Sequence, residues 1–117
     1  MNTKQIAEAF SGHRFTETFD HLAADVRWVL PGQTTIEGRS AVIEACNSSA
    51  ADMAQLASAE FSRFVSVADD RVAAVDAVGR YVGTDGSVSL VSSADVYEFN
   101  GDGHVTTITS YAVELDT

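Results

Sequence analysis

Two aspartates carry most of the chemistry this chain of 117 residues can offer. Asp76 and Asp95 each interrupt a run of small and branched apolar residues, Ala73-Ala74-Val75-Asp76-Ala77-Val78 and Ser93-Ala94-Asp95-Val96. Two carboxylates close together in low dielectric do not both ionise freely. One then holds a proton and serves as an acid while the other serves as a base. Arg63 is the natural partner of Asp76, since a guanidinium beside a carboxylate keeps it ionised. The competing reading is a satisfied ion pair and a hydrogen-bonded aspartate with no catalytic part.

The other reactive residue types are less suggestive. Trp28 and Tyr97 can line a pocket for a flat ligand, or simply fill a core. His13, His21 and His104 are scattered without ligand spacing, so no metal site is expected. The serines lie in no nucleophile elbow, and no glycine run leads from a strand into a helix, which disfavours hydrolase triads and phosphate loops. Cys46 is the only cysteine, which leaves no disulfide framework or thiolate cluster. It reads as a small core residue, and no cofactor is expected.

The elements that must position these residues follow from periodicity and turns. Ile6, Ala7 and Phe10 predict a first helix ended by Ser11-Gly12, and Phe15, Phe19, Leu22 and Ala23 predict a second. A short strand over 26–30 stops at Pro31-Gly32, and a third helix starts near Gly38 and runs through Val42, Cys46 and Met53. Four strands then follow over 59–68, 71–82, 88–99 and 104–115, separated by Gly-, Asn- and Asp-rich turns. Helices first and a long meander after them predict an α+β fold in a single domain, 1–117.

Hairpin turns set register, and register decides which residues meet. Pairing 68 with 71 places Arg63 opposite Asp76. Pairing 82 with 87 places Asp76 opposite Ser93 with Asp95 diagonally beside it, and pairing 99 with 104 brings Ser93 to Ser110. One face then carries Arg63, Asp76, Arg80, Ser93, Asp95, Tyr97 and Ser110. The other, with Phe64, Val75, Tyr81, Leu90, Val96 and Tyr111, is nearly all apolar. Helices can cover one face; a second copy packed sheet to sheet is expected on the other.

Charge limits the partners. Seventeen acidic against seven basic residues give a net charge of −10. No basic face for nucleic acid or anionic membranes can be assembled from this. No apolar run reaches the roughly 18 residues of a membrane span, and the first residues lack a secretory stretch, so a cytoplasmic location is expected.

The run Leu22-Ala23-Ala24-Asp25-Val26-Arg27-Trp28, then Pro31-Gly32 and Ile36-Glu37-Gly38-Arg39-Ser40-Ala41-Val42, resembles the nuclear transport factor 2-like superfamily, in particular its SnoaL-like and ketosteroid isomerase-like branches. The tail from Ala94-Asp95-Val96-Tyr97 to Gly103-His104-Val105 does so too. The resemblance implies a cone-shaped antiparallel sheet wrapped around a long helix, with a deep pocket between them. It turns Trp28, Asp76 and Arg80 toward that cavity. It also places Asp95 where those isomerases keep a carboxyl neutral to bind a developing oxyanion. Leu30 stands where their general-base aspartate is expected, and Ile6 at the phenolic position, so steroid isomerisation by that route is not expected. An acid–Arg–acid arrangement also resembles the logic of the limonene epoxide hydrolase branch, although Ser110 replaces one of its aspartates.

The expected function is cofactor-free acid–base chemistry, of the isomerase, cyclase, dehydratase or epoxide hydrolase class, on a small apolar organic molecule. Asp95 and Asp76 would be catalytic, with Trp28, Arg63, Arg80, Ser93, Tyr97 and Ser110 binding the ligand. The alternative is a non-catalytic ligand-binding or dimerisation module.

Overall fold

Asn2 opens the first helix, α1 (Thr3–Ser11), with a capping box: its side chain accepts from Gln5 N–H, and the Gln5 side chain accepts from Asn2 N–H. The computed structural model describes residues 1–116. A 3-10 helix, Phe15–His21, follows α1, then strands β1 (Leu22–Leu30) and β2 (Thr34–Glu37) and the long helix α2 (Arg39–Ala54). Strands β3 (Ser58–Ala68), β4 (Val72–Val82), β5 (Val88–Phe99) and β6 (Val105–Leu115) complete the chain.

The expected second helix is shorter and tighter than its spacing suggests. Thr18 Oγ–H donates to the Phe15 carbonyl at 2.7 Å, an i to i−3 closure that suits a 3-10 turn. Leu22 and Ala23 belong to β1 instead, where Leu22 and Val26 are buried. The strand therefore begins four residues before Val26, and β2 occupies part of the segment expected as a turn.

The six strands form one sheet in the order β2-β1-β6-β5-β4-β3, with β1 parallel to β6 and every other pair antiparallel. Helices pack on the inner face around Ile6, Phe10, Val26, Val42, Cys46, Val75, Tyr97 and Ile108. This is the expected α+β architecture. Among the described residues no helix is long and apolar enough to cross a membrane.

The register corrects the expectation where it matters most. The β4–β5 loop holds five residues, because Gly83 N–H donates to the Ser87 carbonyl and Asp85 accepts from both Ser87 N–H and Ser87 Oγ–H. Val82 accordingly pairs with Val88 rather than residue 87, placing Asp76 opposite Ala94 and Val75 opposite Asp95. A one-residue slip sends a side chain to the other face, so Asp76 and Asp95 lie on opposite faces of the sheet. In the β3–β4 hairpin, Asp69 accepts from Arg71 and Val72 N–H, and residue 68 pairs with 73. Arg63 then pairs with Val78 instead of Asp76. A bulge between Phe61 and Arg63 lets Phe61 and Phe64, three apart, share the inner face with ring centroids 5.1 Å apart. Between β5 and β6 the shift is two residues, so faces are kept: Asp95 is opposite Ser110, and Tyr97 opposite Ile108.

Candidate functional site

α1 ends, and the inner sheet face begins, around a cavity of about 430 Å3, within the usual range of ligand pockets. Phe10, Phe15, Trp28, Met53, Leu56 and Phe61 supply its apolar walls. Phe10 organises them, with its ring edge-on to Phe15 and Trp28 at 5.1 Å and to Tyr97 at 5.9 Å. The polar lining is Ser11, His13, Ser49, Asp52, Tyr81, Ser93, Asp95 and Ser110.

Asp95 is fixed by a chain of hydroxyls. Ser11 Oγ–H donates to Asp95 Oδ2 at 2.7 Å, and the Tyr97 hydroxyl lies in hydrogen-bond contact with Ser11 Oγ. A serine has one proton to give, and it goes to the carboxylate. Tyr97 must therefore donate to Ser11, and the chain has a fixed polarity from Tyr97 through Ser11 to Asp95. Burial pushes the Tyr97 phenol well above its ordinary range, and the charge of Asp95 pushes in the same direction. The phenol thus stays a donor. Opposite Asp95, Ser110 Oγ accepts from Trp28 Nε1–H at 2.9 Å, which fixes the indole across the cavity floor.

His13 and Tyr81 meet at 3.1 Å between Nε2 and the phenolic oxygen. Burial lowers the His13 pKa against a smaller upward pull from Asp95, and burial together with Asp95 raises that of Tyr81. Near neutral pH both rings are uncharged. Besides the exposed Asp52, the cavity therefore holds one half-buried carboxylate, Asp95, among aromatic rings, with a neutral imidazole and a neutral phenol on the same lining.

Of the residues expected at the site, Trp28, Ser93, Asp95 and Ser110 line the cavity. Tyr97 is fully buried behind it and acts on Asp95 through Ser11. Asp76, Arg63 and Arg80 are not there. Arg63 donates from Nε and Nη2 to Asp76 Oδ2 at 3.1 and 2.9 Å, but on the outer face with both side chains about half exposed. Arg80, on the same face, is exposed. Ile6 is a core residue, and Leu30 is half-buried outside the cavity lining. Sequence reasoning missed Ser11, His13 and Tyr81, whose one local signal is a glycine close by in each case, Gly12 or Gly79. Among the described residues no group of three or more His, Cys, Asp or Glu side chains is placed to hold a metal ion.

A curved sheet closing over a long helix around such a cavity is a nuclear transport factor 2-like α+β fold. The sequence matches the family model of the SnoaL-like domain over residues 3–108, and the chain belongs to that family. No curated protein matches it in sequence. Among solved structures it is similar to a nuclear transport factor 2-like protein of unknown function from Cytophaga hutchinsonii, with 24% identity over 93% of this chain and 94% of that one and a TM-score of 0.79. The epoxide hydrolase/cyclase-like enzyme SalBIII, described for pyran ring formation in the polyether salinomycin, is 18% identical over 95% and 90% of the two chains, with a TM-score of 0.69. A putative polyketide cyclase from Xanthomonas campestris pv. campestris is 19% identical over 94% and 92%, with a TM-score of 0.66. At these identities the likeness is one of fold.

Proposed function

We propose that this SnoaL-like protein carries out proton-transfer chemistry on a small, largely apolar, oxygen-bearing molecule, in the cyclase or epoxide-opening class, with Asp95 as the base. The observation that carries the proposal is the Asp95 carboxylate, half-buried and held by Ser11 in an aromatic cavity of ligand size. Oδ2 is engaged by the serine, which leaves Oδ1 as the basic oxygen. In a cavity walled by aromatic rings, this oxygen would take the proton of a bound C–H or O–H. Trp28 and Ser110 would orient a flat ligand above it, and Ser93 would offer a further polar contact. Asp76 takes no part in this reading, since its ion pair with Arg63 sits on the outer face. The likeness to SalBIII and to a putative polyketide cyclase agrees in reaction class.

Nitrobenzisoxazole tests the base without knowledge of the natural substrate: removal of its ring C–H proton opens the N–O bond and releases a coloured phenolate. Saturable elimination is expected from the wild type, falling about 10²-fold or more in Asp95→Asn. Saturable binding of the probe without elimination would reduce the protein to a ligand-binding module.

The same reading includes a second copy of this chain on the outer face. Val65, Val67, Tyr111 and Val113 are 47%, 65%, 53% and 63% exposed there, a spread of apolar surface that soluble monomers seldom leave wet. Sedimentation at micromolar concentration should give a dimer, and Val113→Lys a monomer. A wild-type monomer would remove this part of the proposal.

A further inference from the structure

The geometry points to His13 and Tyr81 as the acid half of the site: the Tyr81 hydroxyl donates a proton to a substrate oxygen, and His13 Nε2–H holds that hydroxyl and the phenolate it leaves. The inference rests on the reading of Asp95 as base. Tyr81 would be the catalytic residue, because it meets the substrate, and His13 a positioning residue that acts through it.

Three separate local features converge on this pair. The first is backbone. Helix α1 closes with Arg14 N–H donating to the Ala9 carbonyl and His13 N–H to the Phe10 carbonyl. That is the pattern in which the penultimate residue turns left-handed and is usually glycine. Here it is His13, with φ 65°, the one non-glycine residue with positive φ among those described. A side chain with a Cβ costs about 1–2 kcal/mol there, and such strain gathers at functional sites. Gly12, which could have taken the turn, lies one position too early.

The second feature is the cage. His13 stacks on Phe61 at 5.6 Å with the planes 20° apart and meets the Phe15 and Tyr81 rings edge-on. Three rings thus fix the imidazole, with Nε2 aimed at one oxygen. The bulge in β3 is what brings Phe61 to this face.

The third feature is Gly79, in the middle of β4. A Cβ at that position would lie 2.5 Å from the Tyr81 hydroxyl and 2.7 Å from its ring carbons. Tyr81 therefore leans along the strand over bare backbone, into space that any other residue would fill. Glycine weakens a strand interior, and its presence there marks a close approach. Without it the hydroxyl could not reach His13 or the cavity.

The protons balance around the probe reaction. Asp95 Oδ1 takes the C–H proton, the C–H electron pair becomes part of the new nitrile, and the N–O bond breaks. The departing oxygen takes the Tyr81 proton, the phenolate left behind is held by the His13 Nε2–H hydrogen bond until water reprotonates it, and Asp95 gives its proton back to water.

Unsubstituted benzisoxazole and its nitro derivative separate this from a structural role. The leaving oxygen of the first is more basic and depends more on a proton donor. Tyr81→Phe should slow the unsubstituted probe about 10²-fold and the nitro probe much less. His13→Asn, which tolerates the left-handed backbone, should show the same asymmetry more weakly. Imidazole nitrogen NMR of the wild type should show Nε2 as the protonated nitrogen, perturbed in Tyr81→Phe. Equal slowing of both probes, or a bare Nε2, would overturn the inference. If Asp95→Asn is impaired while Tyr81→Phe is not, this inference fails alone. If the wild type has no saturable elimination, the Asp95 reading fails and the pair with it.

Discussion

Asp95 and Asp76 stand on neighbouring strands, one register step apart, and meet opposite fates. On the inner face, Asp95 lies opposite Ser110 and Val75, among Phe10, Trp28 and Tyr81, with one oxygen held by Ser11. On the outer face, Asp76 lies opposite Ala94 and Val65 and takes both its short contacts from Arg63. The outer pair has the better ionic geometry and the lesser consequence: exposed ion pairs contribute about 0–1 kcal/mol. The inner carboxylate has no lysine or arginine in its cavity lining, whose other polar members are hydroxyls, the His13 ring and the exposed Asp52. The two carboxylates differ in the surroundings of their charge, and those are decided by a single residue in a hairpin loop.

The sharpest way to break the comparison is to give each face a second carboxylate. Val75→Asp would put one directly opposite Asp95 at a position 1% exposed, with no cation to meet it. A loss of about 3–5 kcal/mol is expected in denaturant unfolding, the range for an uncompensated buried charge. Val65→Asp, opposite Asp76 at a position 47% exposed, should cost under about 1 kcal/mol. Equal costs would erase the distinction between the faces.

Ser11→Ala gives a smaller effect. It strands the buried Tyr97 hydroxyl, whose hydrogen bond in the structure is to Ser11, at about 1–3 kcal/mol. Tyr97→Phe should be milder, because it removes the donor and leaves Ser11 to Asp95. The reverse order would show that the hydroxyl chain does not run as described.

Acid should reveal His13 next. Its pKa is lowered on folding from 6.5, so the unfolded chain binds the proton first as pH falls. Stability present above about pH 6.5 then declines as pH drops through the folded pKa and levels off below it. Asp95 on β5 and Tyr81 on β4 are the groups acting on this imidazole. Thermal unfolding between pH 7 and 5 should show the decline, flattened in His13→Asn and steepened in Asp95→Asn, which removes the upward pull. Least of all, Arg63→Ala should cost under about 1 kcal/mol and still less in high salt.

Much of this architecture was legible beforehand, and the errors have physical causes. The limits of β5 and the start of α2 beyond Gly38 came directly from alternation and turn residues. Phe15, Phe19 and Leu22 have helical spacing, yet the chain passes from a 3-10 turn into β1 between them, which periodicity alone cannot separate. The turn over 83–86 predicts residue 87 as the partner of residue 82, but Asp85 ties Ser87 into the loop and Val82 pairs with Val88, which turns Asp76 to the outer face. Ser93, Asp95 and Ser110 share one face, as expected, because an even register error between β5 and β6 preserves faces, whereas the resemblance alone turns Trp28 toward the cavity. His13 was missed, because a histidine in a glycine position looks like an ordinary helix end until its ring is seen against Phe61 and Tyr81.

The central claim, that Asp95 and not Asp76 receives the ligand's proton, is tested most directly by carboxyl-carbon NMR during addition of nitrobenzotriazole. This analogue of the probe presents an N–H where the acidic C–H would be. The Asp95 carboxyl resonance should shift in step with saturation, while that of Asp76 stays at its free position. A shift at Asp76, or saturation without movement at Asp95, would contradict the account.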